Sequence, residues 1–360
     1  MIKDKSILIK NIYYMLSYAF VSLNQNGYEE VEKEEFDNIY NLFAAILLKG
    51  IGRQIKQGLH REYIGCRENI PTVRGKIDMP GTIKEIIARR RVLTCEFDEL
   101  SENNLLNQII KTTVILLLRQ NQVEANKKAE LKKEMLFFSG VDIIDPSAIR
   151  WSSIHFQKNN NTYRMLIGLC QLVLEGMLLT TNKGGYRLAS FIKPEQMSHL
   201  YERFILEYYV REHPKINANA SQISWAVDDG YRMALPTMRS DITLTNKAGD
   251  RVLIIDAKYY TNTMQSYYNT YTIHSEHLYQ IFAYVKNKEA SFGSEPHKVS
   301  GMILYARTEE EIQPDNTYQM SGNQINVRTL DLNKEFSEIA AQLDKIILEY
   351  FGNNDNILNK

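Results

Sequence analysis

The run Arg-Val-Leu-Ile-Ile-Asp-Ala-Lys-Tyr-Tyr at residues 251–260 carries an acid and a base, Asp256 and Lys258, inside an otherwise apolar stretch. Strand alternation puts Val252, Ile254, Asp256 and Lys258 on one face and Leu253, Ile255 and Ala257 on the other, so the carboxylate and the ammonium emerge side by side. A second carboxylate, Asp241, stands upstream on the preceding predicted strand, and the turn residues Lys247-Ala248-Gly249-Asp250 predict a hairpin that brings it alongside. Two carboxylates and an ammonium converging on one spot suit phosphodiester hydrolysis. Hard carboxylate oxygens hold Mg²⁺, and the metal polarises a phosphoryl oxygen and lowers the pKa of bound water. On this reading Asp241 and Asp256 are the metal ligands, with Mn²⁺ able to replace Mg²⁺. Lys258 either orients or helps deprotonate the attacking water, or it stabilises the charge of the transition state. A surface ion pair at a strand end is the competing explanation; the apolar flanks and the hairpin spacing weigh against it.

Two further features accompany these three residues. The helix predicted over residues 275–286 turns Leu278, Ile281, Phe282 and Val285 to the core, which leaves Gln280 and Tyr284 one turn apart on another face. Their Gln-x-x-x-Tyr spacing resembles the signature that follows the catalytic strand in RecB-like nucleases, where the pair lies beside the active site. On the helix predicted over residues 195–210, Glu202 shares its side with Ile205 and Leu206. A carboxylate on an apolar face needs a partner, and a metal, a lysine or an arginine would each serve. His155, His199, His213, His274, His277 and His297 show no paired ligand spacing and read as surface or satisfied core residues. Neither Gly50-Ile-Gly52 nor Gly184-Gly185 is followed by Lys-Ser/Thr, so no phosphate-binding loop is expected and any nucleotide hydrolysis belongs to another chain. Arg89-Arg90-Arg91 is a basic cluster that reads first as a solvated face and second as a phosphate contact.

The elements that must position these groups fall in two stretches. Helices are predicted over residues 11–23 (Ile12, Leu16, Ala19, Phe20, Leu23), 34–57 (Phe36, Ile39, Tyr40, Phe43, Leu47, Ile51), 103–119, 163–179 and 195–210. Strand formers dominate residues 62–77 and 91–97, with Met79-Pro80-Gly81 opening a short helix between them, and the polar stretch 120–133 reads as a connection or a solvated helix end. Towards the end, strands are predicted over 221–227, 231–234, 240–245, 252–260, 299–306 and 325–330, and helices over 275–286 and 334–350. That pattern predicts an α/β (α+β) chain with a boundary near residue 150: a mixed helical and strand domain over 1–150, then a second domain over 151–360.

Composition narrows the setting. Forty-three basic and forty-three acidic residues give a formal net charge of zero, so any nucleic-acid surface must be a local patch. The first ten residues lack a long apolar region, and the best apolar run, residues 114–118, is far too short to span a bilayer. Cys66, Cys95 and Cys170 are odd in number and far apart, giving neither a disulfide framework nor zinc spacing, so a cytoplasmic location with no membrane association is expected.

Several phrases together resemble the McrC family, the nuclease subunits of modification-dependent McrBC restriction systems. They are Asn11-Ile-Tyr-Tyr-Met-Leu-Ser-Tyr-Ala19, Val73-Arg-Gly-Lys-Ile-Asp78, Cys95-Glu-Phe-Asp-Glu-Leu-Ser-Glu-Asn-Asn-Leu-Leu-Asn107 and the Asp241, Asp256-Ala-Lys258 site. The resemblance implies a C-terminal PD-(D/E)XK restriction-endonuclease-like domain of αβββαβ order, with Asp241, Asp256 and Lys258 as its catalytic triad and Gln280 and Tyr284 as the auxiliary pair. It further implies 5-methylcytosine-bearing DNA as substrate and a separate AAA+ GTPase of the McrB type, engaged by residues 1–150, through which alone GTP acts. Many members carry Arg-Pro-Asp at the first carboxylate where this chain has Arg239-Ser240-Asp241, a loss that leaves the carboxylate untouched. Two other functions compete: a non-cleaving activator of the GTPase, which an intact triad argues against, and a stand-alone nuclease, which the neutral charge argues against.

Overall fold

Residues 252–257 are buried, so the strand Arg251–Lys258 can only lie inside a sheet covered on both faces. The computed structural model describes residues 3–4, 7–20, 23, 28–156, 161–180, 186–189, 191–260, 264–267, 270–308, 310 and 312–352. It places that strand in a six-stranded mixed sheet. From one edge to the other the order is Asn316–Met320, Asn323–Leu330, Lys298–Ala306, Arg251–Lys258, Ile242–Thr245 and Asn217–Asn219. The three central strands (323–330, 298–306 and 251–258) are parallel, and the outer pairings are antiparallel. The hairpin across residues 246–250 sets Ile242 opposite Ile255, with Gly249 in the left-handed conformation (φ 82°) that its turn requires.

The helix Ser275–Ala290 is the crossover between the parallel strands 251–258 and 298–306. It packs Ile281, Tyr284 and Val285 on Val252, Ile254, Val299, Ile303, Tyr305, Ile325 and Val327. Alternation sends Leu253, Ile255 and Ala257 to the other face, where the helices Pro194–Glu212 and Phe336–Phe351 contact the sheet. Each fully buried aliphatic side chain in these two layers contributes about 1.5–3 kcal/mol. The helix Ile9–Ala19 packs on Pro194–Glu212, and Asn11 donates both amide hydrogens, at 2.8 Å each, to the carbonyls of Leu332 and Lys334.

By compactness the chain forms two units, one of residues 1–42, 175–180 and 189–360 and the other of residues 43–174 and 181–188. This division differs from a single cut near residue 150, because the first 42 residues belong with the sheet-bearing unit. In the second unit, Glu62–Ile70, Leu93–Ser101 and Lys76–Ile77 form a three-stranded antiparallel sheet. Gly75 sits at φ 70°, and a Cβ there would lie 2.7 Å from Phe97 Cβ. The phrase 95–107 closes on itself: Asn104 caps the helix Leu105–Leu118, while Asn107 donates to the carbonyls of His60 and Glu102 and accepts from Tyr163 Oη.

Other expectations are corrected in detail. The strand-forming stretch 62–77 resolves into two strands, Glu62–Ile70 and Lys76–Ile77, with Pro71 and Gly75 between them. Of the two readings of residues 120–133, a connection or a solvated helix end, the helical one is nearer: residues 125–134 form a separate helix that buries Leu131. Residues 231–234 form no strand: Gly230 and Ala234 have positive φ and Tyr231 and Met233 are exposed, so strand-forming side chains there have no neighbour to pair with. The edge strand Asn316–Met320 and the hairpin Met264–Tyr267 with Thr270–Ile273 were not foreseen. Gly184-Gly185 lies outside the described residues.

The close approach of the 275–290 helix to the sheet depends on Gly301, where a Cβ would stand 2.8 Å from both Ile281 Cγ1 and Val285 Cγ2. Gly301→Ala is expected to destabilise the protein by about 1–3 kcal/mol through overpacking, read as a lower midpoint in urea unfolding. An unchanged midpoint would show that the helix does not need this contact.

Candidate active site

Asp256 lies near the end of the central strand and is fully buried. Lys258 Nζ donates to its Oδ1 at 3.0 Å and lies 2.9 Å from Oδ2, to which it makes no well-angled hydrogen bond. Oδ2 has no hydrogen-bond donor among the described residues. Desolvation is the largest influence on this carboxyl; Lys258 opposes it and the charge of Asp241 reinforces it, and the pKa is pushed up to about 7. Burial is the largest single influence on the Lys258 ammonium and works to lower its pKa, but the charge and hydrogen bond of Asp256, with the charges of Asp241 and Tyr260, together raise it.

Asp241 stands at the bend between Met238–Arg239 and Ile242–Thr245 rather than within a strand. Its Oδ2 accepts from the backbone N–H of Ala257 at 2.9 Å, which ties it across the hairpin to the residue between Asp256 and Lys258. The preceding Ser240 is buried; its N–H donates to Ser221 O at 3.0 Å, a bond that proline would forgo, and its hydroxyl pairs with Thr243 Oγ1 at 2.8 Å. Glu202 projects from the 194–212 helix, accepts from Ser198 Oγ at 3.0 Å and lies 3.6 Å from His199 Nδ1. Burial and then the charge of Asp241 push its pKa up, and Lys258 draws it down, so Glu202 senses both site residues. Its side-chain partners among the described residues are Ser198 and His199, where an arginine or a lysine was entertained from sequence.

The auxiliary pair is joined to the lysine. Lys258 Nζ donates to Gln280 Oε1 at 3.2 Å, and Gln280 Nε2 donates to Tyr284 Oη at 2.9 Å. Sequence reasoning missed His277, which lies one turn before Gln280 on the same helix. It is buried, its Nδ1 is 2.7 Å from Tyr305 Oη, and Tyr305 is the ladder partner of Lys258. Burial, Lys258 and His274 lower its pKa to about 4, so the ring is neutral near pH 7. The i, i+3, i+7 stripe of His277, Gln280 and Tyr284 was the available signal, and the absence of paired ligand spacing concealed it. Arg89, Arg90 and Arg91 lie in the other unit, where Arg90 pairs with Glu85 at 3.2 Å.

Among the described residues, no group of three or more His, Cys, Asp and Glu side chains is arranged to hold a metal ion. Asp256 Oδ2, buried and without a well-angled hydrogen bond among the described residues, together with Asp241, nonetheless suits a cation that keeps several of its waters. Mg²⁺ keeps several waters and is commonly bound by one or two carboxylates plus substrate phosphate, rather than by a cage of protein ligands.

The fold and the site define a mixed α/β protein in which a buried strand presents Asp256 and Lys258 near its end, and the bend before its antiparallel neighbour brings Asp241 alongside. The chain belongs to the family of McrBC 5-methylcytosine restriction system components, which it matches over residues 3–295. Over 348 residues it is 28% identical to the Type IV methyl-directed restriction enzyme EcoKMcrBC of Escherichia coli (strain K12), spanning 96% of this chain and 98% of that one. Among solved structures it is similar to the half-complex from the tetradecameric assembly of Thermococcus gammatolerans McrB AAA+ hexamers with bound McrC. There the identity is 21%, 94% of this chain and 76% of that chain are covered, and the TM-score is 0.49. A second similarity is to the Thermococcus gammatolerans McrBC complex, at 23% identity, 58% and 60% coverage and a TM-score of 0.39. Among the described residues no helix is long and apolar enough to cross a membrane.

The raised Asp256 pKa fixes a pH dependence. Between the ordinary value of 3.8 and about 7 the folded state holds a proton that the unfolded state has released, so this residue's contribution to stability is lost as pH rises through that window. With metal chelated, the melting temperature of Asp256→Asn relative to wild type is therefore expected to rise from pH 5 to pH 8. A difference that is flat or falls with pH would contradict the assignment.

Proposed function

We propose that the chain is the DNA-cutting subunit of a GTP-dependent, modification-dependent restriction complex: a Mg²⁺-dependent endodeoxyribonuclease of the PD-(D/E)XK type. The observation that carries this reading is the fully buried Asp256, whose Oδ2 has the Lys258 ammonium at 2.9 Å but accepts no well-angled hydrogen bond among the described residues, beside the Asp241 side of the hairpin. Asp256 and Asp241 would hold Mg²⁺, which when bound supplies Lewis acidity towards a phosphoryl oxygen and a more acidic water. Lys258 acts as an ammonium rather than a base, because its carboxylate neighbour favours the charged form. From that position it neutralises charge that grows on the phosphoryl oxygens in the transition state. Gln280, held by Tyr284, fixes the lysine's free rotation, and Glu202 adds negative potential on the Asp241 side. The chain itself releases no nucleotide energy; GTP acts through a AAA+ partner of the McrB type, and the substrate is methylated DNA. This partnership is supported by the family and by the methyl-directed Escherichia coli relative.

In this reading we assign the assembly role expected of residues 1–150 to the unit of residues 43–174 and 181–188, a compact unit other than the one whose sheet carries the site. Its helix Met79–Ile87 exposes Met79, Ile83, Ile86 and Ile87, an apolar face suited to a protein partner. Residues 1–42 instead help to build the unit that carries the site.

The deciding experiment is cleavage of methylated and unmethylated DNA by the full chain, with and without the cognate GTPase, GTP and Mg²⁺. Wild type is expected to cut methylated DNA only in the complete mixture, with Mn²⁺ replacing Mg²⁺ and Ca²⁺ failing to do so. Asp256→Ala and Lys258→Ala should each lose at least a hundredfold in rate while still stimulating GTP turnover. Undiminished cutting by either variant, or full cutting in chelator, would overturn the reading.

A further inference from the structure

The row of functional side chains does not stop at Lys258. Tyr259 and Tyr260 keep the alternation beyond the last ladder pair: Tyr259 lies 6.3 Å from Tyr201 on the 194–212 helix, whereas Tyr260 turns to the 275–290 side. There its ring stacks on His274, with centres 6.0 Å apart and planes 25° apart, and lies 5.0 Å from His277. Val252, Ile254, Asp256, Lys258 and Tyr260 thus form one row, and it ends in a tyrosine that is 41% exposed.

The inner side of that ring is held in place. His274 and His277 are 4.9 Å apart, His277 is fastened to Tyr305, and Tyr305 is the ladder partner of Lys258. Buried ring nitrogens of both histidines, Nε2 in each, lack hydrogen-bond partners among the described residues. Unpaired buried nitrogens cost stability, and an all-apolar backing would avoid that cost, so the arrangement points to a task for the ring they support. Two positions along an extended strand span about 7 Å, a reach comparable with one nucleotide of backbone.

We propose that Tyr260 is a substrate-contacting residue whose open ring face stacks on the nucleobase adjoining the phosphate held at Asp256 and Lys258. This rests on the nuclease reading above. Every base has a π-face, so stacking of this kind accepts any base and sets the position of the cut rather than its sequence. The base must leave its neighbours in the duplex to reach the ring, as happens where side chains wedge between base steps.

The test is single-turnover cleavage by the full chain with its cognate GTPase, GTP and Mg²⁺ on a methylated duplex oligonucleotide. Matched duplexes carry an abasic site at the nucleotide on one or the other side of the mapped cut. Tyr260→Phe is expected to cut the intact duplex within about twofold of wild type, and Tyr260→Leu about tenfold more slowly. At one flanking position the abasic duplex should slow wild type about tenfold and slow Tyr260→Leu no further. Wild-type rates on the intact duplex by Tyr260→Leu, or losses that multiply on both abasic duplexes, would overturn the proposal. If Tyr260→Leu melts well below wild type, the wild-type rates decide: no loss at either abasic position overturns it. A wild-type protein that cuts no duplex contradicts the nuclease reading itself, and this proposal with it.

Discussion

A carboxylate in a place that water does not reach is the constraint around which the sheet-bearing unit is arranged. Asp256 sits fully buried between Ile255 and Ala257, and an isolated ionised carboxylate there would be prohibitively unfavourable. The chain supplies one cation, Lys258, close to both oxygens, yet leaves Oδ2 without a donor and the pKa near neutrality. A fold selected only for stability would have an apolar residue or a fully bonded pair at this position. The half-satisfied arrangement makes sense if a divalent cation completes it, and the surrounding features follow from holding it steady. The Asp241 carboxylate is pinned to the Ala257 N–H, Gln280 and Tyr284 hold the lysine, and Gly301 lets the helix carrying that pair lie close to the sheet.

The phrases by which the sequence resembles its family turn out to work largely through structure. Asn11 bonds two carbonyls just before the last helix, Gly75 occupies a backbone conformation and a space that no side chain fits, and Asn104 and Asn107 satisfy the carbonyls around the start of a helix. Each is a polar or glycine position whose replacement would leave a buried group unpaired or a turn strained. Their specificity as family markers therefore reflects how each unit is built, and the proposed chemistry rests on the less distinctive residues at the end of the central strand.

What could be read from the residues alone followed the strength of local pattern. The apolar run 251–258, the Gly249 turn and the 275–290 helix carry period-2, turn and period-3.6 signals that agree with their tertiary roles, and they brought Asp241, Asp256, Lys258, Gln280 and Tyr284 together correctly. Residues 231–234 have strand-forming side chains but find no partner, since pairing is a tertiary property. The polar edge strand Asn316–Met320 exposes most of its length and so carries no apolar alternation to detect. The discontinuous units were hidden because a linear boundary cannot show that residues 1–42 return to the sheet formed after residue 189. His277 was read only as a surface or satisfied core residue, and Tyr260 was given no role, because neither stands in a recognisable spacing; only the fold sets them against Tyr305 and beside Lys258.

The central claim is that Asp256 and Asp241 are unfinished ligands for a divalent cation, and Mn²⁺ binding to the full chain, followed by electron paramagnetic resonance without DNA or partner, tests it most directly. The account predicts loss of free Mn²⁺ signal on adding wild type or Lys258→Met, and recovery of that signal when Asp256→Asn or Asp241→Asn replaces them. Equal Mn²⁺ binding by wild type and Asp256→Asn would contradict it.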